Sequence, residues 1–270
     1  VAPTLAQLEQ QVLPADIRSR IIDNHNGLRM RVLEAGAANN PCVLLLHGFP
    51  ELAFSWRKVM LPLANAGFHV VAPDQRGYGM TTGADNRYDG DVGSFRQFNL
   101  ARDVLGLVHA LGRDHVHAVV GHDFGSPVAA TCAVIRPDVF RRVALMSAPF
   151  AGMPTLPTAS TPCSVAGIDH QALADLPRPR KHYQWYYSQA DAEHNMLHCR
   201  QGLHDFLRAY YHYKSADWTE NRPYALADWS AQSFAQLPTY YVMDNEAGMA
   251  ETVEPFMPSI DRIANCGWLP

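Results

Sequence analysis

The chain has 270 residues, 47% of them apolar and 18% charged, with a formal net charge of −4. That is the composition of an ordinary globular protein, and it suits one large α/β domain carrying an inserted subdomain. Lys and Arg are scattered, so there is no basic footprint for nucleic acid, and no apolar run approaches the roughly 18 residues of a membrane span.

Val1 to Asp16 has no cationic start followed by an apolar core, so it does not read as a signal peptide. Five cysteines (Cys42, Cys132, Cys163, Cys199 and Cys266) are odd in number, widely spaced and without a Cys-x-x-Cys pair. Reduced thiols in a cytoplasmic protein are the expectation. From Ile17 to Glu34 the pattern predicts a hairpin: Ile17, Ser19 and Ile21 alternate, Asn24-His25-Asn26-Gly27 turns, and Leu28, Met30 and Val32 alternate. Cys42 to Leu46 is a continuous apolar run, the mark of a strand buried on both faces of a parallel sheet. Trp56 to Ala66 has helical spacing and stops at Gly67; His69 to Ala72 is a second buried strand. A stripe of Phe98, Ala101, Val104, Leu105, Val108 and Leu111 predicts a helix over Phe95 to Leu111, closed by Gly112. Val116 to Val120 reads as strand, Ser126 to Ile135 as helix and Val143 to Met146 as strand. Alternation of this kind implies an α/β fold, a mostly parallel sheet with helices on both faces.

After Ala148-Pro149-Phe150 the composition changes. Gly152 to Ala166 is rich in Pro, Thr and Ser, and from His182 to Tyr213 the chain is helical, aromatic and His-rich. The expected organisation is a core over 1–151 and an inserted helical cap over 152–270, above the carboxyl edge where α/β sheets place their ligand crevice.

The chemistry is concentrated at Val119-Val120-Gly121-His122-Asp123-Phe124-Gly125. An apolar strand runs into a small-x-acid-x-small turn and then a helix, the shape of the α/β-hydrolase nucleophile elbow with Asp123 in place of the usual Ser. A carboxylate attacks as it stands and yields an ester intermediate that must then be hydrolysed. This points to alkyl electrophiles, such as epoxides and alkyl halides, rather than to peptide or lipid esters. His47-Gly48-Phe49-Pro50-Glu51 follows a strand directly, where the loop of such a fold supplies one oxyanion-hole amide, here from Phe49. Phe124, the residue after the nucleophile, supplies the other.

These blocks, with Ser55-Trp56-Arg57 and Asp74-Gln75-Arg76-Gly77-Tyr78-Gly79, resemble the soluble and microsomal epoxide hydrolases over about Ile17 to Phe150. The resemblance resumes at Tyr183-Gln184-Trp185-Tyr186-Tyr187-Ser188-Gln189, similar to the segment carrying that family's first ring-opening tyrosine. It implies an α/β-hydrolase fold, a detoxifying hydrolase acting on a small apolar epoxide with water as co-substrate, and no cofactor or metal. It also implies Tyr183 as the acid: a phenol of pKa near 10 stays protonated at neutral pH yet stabilises an oxyanion as it forms. His47, Pro50, Trp185 and Tyr186 are expected to line the substrate pocket. Phe124 departs from the family's usual Trp. It also lacks the indole N–H with which haloalkane dehalogenases hold halide, so a dehalogenase on the same scaffold is the second reading.

Asp74 and Arg76 read as a structural pair, and His122 as structural rather than a general base, because neighbouring side chains at a sharp elbow point apart. His194 and His198 stand at i,i+4 but lack a His-Glu-x-x-His frame, so no metal is expected. The family pattern places a water-activating histidine and its orienting acid after the cap, yet the last histidine is His212, and the second ring-opening tyrosine would also come later than Pro270. Thr239 to Asp244 imitates a strand ending in an acid but reads as cap. The sheet's last strands are therefore expected to be absent, in a chain truncated at its carboxyl end or a degenerate, ligand-binding member. Oligomeric state is left open by the sequence.

Overall fold

A computed structural model describes residues 12–152 and 169–259. The chain divides into two compact units, Val1–Leu156 and Pro157–Pro270. The Pro/Thr/Ser-rich run after Gly152, with Cys163 and Cys266, lies outside the described residues; Cys42, Cys132 and Cys199 are free thiols.

In the first unit β1 (Arg18–Asp23) and β2 (Arg29–Ala35) form the hairpin, Asp23 facing Arg29 across the turn. Then follow β3 (Cys42–Leu46), α1 (Arg57–Asn65), β4 (His69–Pro73), α2 (Gln97–Ala110), β5 (Ala118–His122), α3 (Gly125–Ile135) and β6 (Val143–Met146). The sheet order is β1-β2-β4-β3-β5-β6. β1, β2 and β4 pair antiparallel, and β4-β3, β3-β5 and β5-β6 pair parallel.

Period-2 alternation decides which helix each strand residue meets. Cys42, Leu44 and Leu46 pack with Leu100, Val104 and Leu107 of α2 and Val128 and Cys132 of α3. Val43 and Leu45, between them, pack on the other face with Trp56 and Met60. A continuous apolar run is needed because both faces are covered. Leu107 is fully buried, so Leu107→Ala would cost about 2–5 kcal/mol. Helix α2 ends as expected at Gly112 (φ +70°), whose N–H donates to the His109 carbonyl (2.8 Å) while Arg113 N–H reaches Val108 (3.2 Å), a Schellman closure.

Strand β3 lies between β4 and β5, so the chain leaves it in one direction and returns on the other side. The carboxyl ends of β3 and β5 therefore meet at a switch point, where doubly wound sheets open a crevice. The His47 loop and Asp123 are the residues delivered there.

Three details differ from the sequence expectation. Ile22, not Ile21, joins the core, because its register partner is Met30; Ile21 falls on the opposite, exposed side. Phe98 is half-exposed, since 100° per residue puts it about 120° from Val104. β5 begins at Ala118 and runs on through Gly121 and His122, Val116 making only an isolated bridge to Phe140.

The second unit holds α4 (His170–Ala174), β7 (Arg180–His182), α5 (Tyr183–Tyr187), α6 (Ala192–Leu197), α7 (Leu203–Lys214), α8 (Ala231–Phe234), β8 (Val242–Asp244) and α9 (Met249–Val253). β7 and β8 form a separate two-stranded antiparallel sheet. Residues Val242–Asp244 are thus a strand, but not one of the main sheet, and Asp244 binds Arg178 and Arg180. An aromatic core of Tyr186, Phe206, Tyr210, Tyr213 and Tyr240 holds the unit, with Tyr213 stacked on Phe256 at 3.6 Å. No helix of the described residues is long and apolar enough to cross a membrane.

Candidate active site

Asp123 stands at the turn from β5 into α3 with φ +50°. This left-handed backbone costs a non-glycine residue of the order of 1–2 kcal/mol, and the surroundings over-determine it. Asp123 N–H donates to the Met146 carbonyl (3.0 Å), and Ser126 N–H donates to the Asp123 carbonyl (3.0 Å). The fully buried Ser126 hydroxyl lies 2.7 Å from the Gly121 carbonyl and accepts from Met146 N–H (3.1 Å). A Cβ on Gly121 would strike the Gly125 carbonyl, and one on Gly125 would strike the Leu46 carbonyl. The flanking glycines are steric requirements of the elbow.

The His47–Glu51 loop approaches from β3. Phe49 N–H donates to Asp123 Oδ1 (3.1 Å). Gly48 lies so close to Asp123 that a Cβ there would overlap the aspartate's own Cβ. Four hydrogen bonds hold the loop. Gln75 N–H donates to His47 Nε2 (3.0 Å), so Nε2 is the acceptor, and the proton sits on Nδ1, which donates to the Gly48 carbonyl (2.9 Å). Gln75 Nε2 donates to the His47 carbonyl (2.5 Å), and Ala53 N–H donates to Asp74 Oδ1 (2.9 Å).

His47 is fully buried, with both ring nitrogens engaged and Tyr78 edge-on at 4.9 Å. It braces the loop rather than lining a pocket, which corrects the expectation, and burial pushes its pKa down, favouring the neutral ring. Burial alone would raise the Glu51 carboxyl, but hydrogen bonds from His122 Nδ1 (2.9 Å) and Gly48 N–H (3.1 Å) outweigh it and hold the group below the usual range. His122 is thus a strut between the elbow and the loop. Asp74 and Arg76 are both structural but do not pair: Asp74 takes Ala53 N–H and Arg31, whereas Arg76 forms a two-pronged pair with Asp103 (2.7 and 2.8 Å). Phe124 caps α3 with its side chain half-exposed, and Pro50 is half-buried.

In the second unit Tyr183 follows β7 directly. Its N–H donates to the Tyr241 carbonyl (2.8 Å), its ring meets Tyr187 and Tyr241, and Gln184 Nε2 donates to its phenol oxygen (3.3 Å). Trp185 is half-exposed against His170, while Tyr186 is buried within the aromatic core, so its ring is packing, not pocket wall. His194 and His198 rings lie 4.5 Å apart, yet among the described residues no three His, Cys, Asp or Glu side chains could hold a metal ion.

Residues 41–241 match the alpha/beta hydrolase fold family. The chain belongs to that family. The α/β hydrolase is 40% identical over 143 residues to Epoxide hydrolase A of Mycobacterium tuberculosis, a match covering 53% of this chain and 41% of the relative. It is 38% identical over 125 residues to an Epoxide hydrolase of Caballeronia sordidicola, covering 46% and 36%. An epoxide hydrolase structure from an endophytic Streptomyces superposes with a TM-score of 0.66 at 27% identity, covering 91% of this chain and 63% of that one. Epoxide Hydrolase A from Mycobacterium thermoresistibile gives 0.62 at 26% identity, covering 92% and 68%. The matches span about two-fifths of the length of these curated relatives.

Two residues of this α/β hydrolase's site escaped sequence reasoning. In the sequence Ser126 reads only as the start of a helix, although a hydroxyl among Gly and Ala after the elbow is the available signal. Tyr78 carries no such signal; burial and the Asp123 charge push its phenol up to about 12.

Proposed function

We propose that the protein opens a small epoxide through a covalent ester on Asp123, with Tyr183 as the ring-opening acid. The observation that carries this reading is the Phe49 amide on Asp123 Oδ1. The donor makes the two carboxylate oxygens unequal: Oδ2 attacks the epoxide carbon, and Oδ1 becomes the carbonyl oxygen of the ester. The carbon–oxygen bond of the ring breaks, and the ring oxygen takes the Tyr183 phenol proton. When water attacks the acyl carbon, the negative charge builds on Oδ1, where the Phe49 amide already points and the first-turn amide of Phe124 is the second donor. Such preorganised donors are worth a few kcal/mol to the transition state. The relatives' names supply the substrate class, and Tyr183 enters by its place in the Tyr-Gln-Trp-Tyr segment.

Intact mass measurement after incubation with styrene oxide tests the proposal. One adduct mapping to Asp123 and absent from Asp123→Ser supports it. An unmodified protein, or an adduct elsewhere, refutes it. Halide release from an alkyl halide without reaction at epoxides would favour the dehalogenase reading, against which stands the Phe124 ring with no N–H to offer a leaving halide.

A further inference from the structure

Resting on the reading of Tyr183 as the acid, we infer that Gln184 is a positioning residue that aims the Tyr183 hydroxyl and strengthens it as a proton donor. Gln184 Nε2 lies 3.3 Å from the Tyr183 phenol oxygen. A carboxamide N–H can only donate, so the phenol oxygen is the acceptor at this contact. A phenol O–H keeps to the plane of its ring, with two positions to choose from. A donor at one of them turns the proton to the other. The ring itself is set by Tyr183 N–H on the Tyr241 carbonyl (2.8 Å) and by edge contacts with Tyr187 and Tyr241 at 5.7 and 5.4 Å. Gln184 therefore acts on the phenol oxygen, while the Tyr241 carbonyl and the ring contacts set the ring.

The same contact acts on the chemistry. As the Asp123 oxygen–carbon bond forms and the ring carbon–oxygen bond breaks, the phenol proton passes to the ring oxygen and Tyr183 is left as a phenolate. A hydrogen bond to an ionised acceptor is about twice as strong as to a neutral one. Gln184 thus stabilises the product of proton transfer more than its starting state, which makes the phenol a better acid.

The test uses the full chain and styrene oxide, following the rate of adduct formation at Asp123 by intact mass. Gln184→Met, close in shape but without a donor, should slow labelling at saturating epoxide about tenfold. The half-saturating concentration should stay as in wild type, and the alkaline limb of the rate profile should move to higher pH. Gln184→Glu, ionised and unable to donate at neutral pH, should slow labelling at least as much and serves if the Met variant folds poorly. A purely structural role would lower thermal stability while leaving the alkaline limb in place. Wild-type rate and an unmoved limb in both variants would overturn the inference and leave the Asp123 reading standing. An unlabelled wild type would instead remove the Asp123 reading, and this inference with it.

Discussion

Gly48 and Asp123 come together without room for a methyl group between them. The contact lets the Phe49 amide reach Oδ1 at 3.1 Å. Gly48→Ala should therefore push the loop off the carboxylate, destabilising the fold by about 1–3 kcal/mol and slowing adduct formation with styrene oxide. Urea midpoints and labelling rates, measured on the same preparation, check both halves.

Ser126→Ala removes a buried hydroxyl that serves both the Gly121 carbonyl and Met146 N–H. Leaving such groups without partners costs about 1–3 kcal/mol. The expected result is lower stability together with slower labelling, because the turn carrying Asp123 loosens. Wild-type stability in the variant would mean that the backbone contacts alone define the elbow.

Acid sensitivity should trace to Glu34. Burial raises its carboxyl, but hydrogen bonds from His69 and from Arg20 (2.7 and 2.9 Å) outweigh this and hold it at about 2, against an ordinary 4.5. A depressed carboxyl stabilises the fold fully above its unfolded value and loses that contribution as pH falls through the folded one. The stake is of the order of 3 kcal/mol, present above pH 4.5 and gone near pH 2. Denaturation curves of wild type and Glu34→Gln should converge as pH falls through that window.

The 270-residue chain should label itself once and not turn over. His47 has both ring nitrogens engaged and His122 is bound to Glu51, so neither is available to activate water at Asp123. A covalent step can proceed without the base that serves its hydrolysis. One equivalent of adduct with no accumulating diol, read by chromatography, is the expected outcome. Diol in many-fold excess over protein would assign the base to a histidine already in the chain.

What was legible in the sequence was whatever sterics write locally. The apolar run Cys42–Leu46 announces burial on both faces, and the small residues around Asp123 announce a turn in which a Cβ on either flanking glycine collides. The site's support was not legible, because its partners arrive from afar. His47 after a strand looks like a polar turn residue until Gln75 brings an N–H from 28 residues on. Arg76 looks like Asp74's neighbour until α2 presents Asp103. Trp185 and Tyr186 could not be told apart, since α5 has only 5 residues, too few for a helical stripe to show.

Strand β6 is exposed along its whole length, yet its last residue, Met146, holds both the Asp123 amide and the Ser126 hydroxyl. Through Met146 this strand is thus tied twice to the turn that carries Asp123, once through its carbonyl and once through its N–H. A displacement of Met146 would therefore also move the backbone of Asp123, whose N–H it holds.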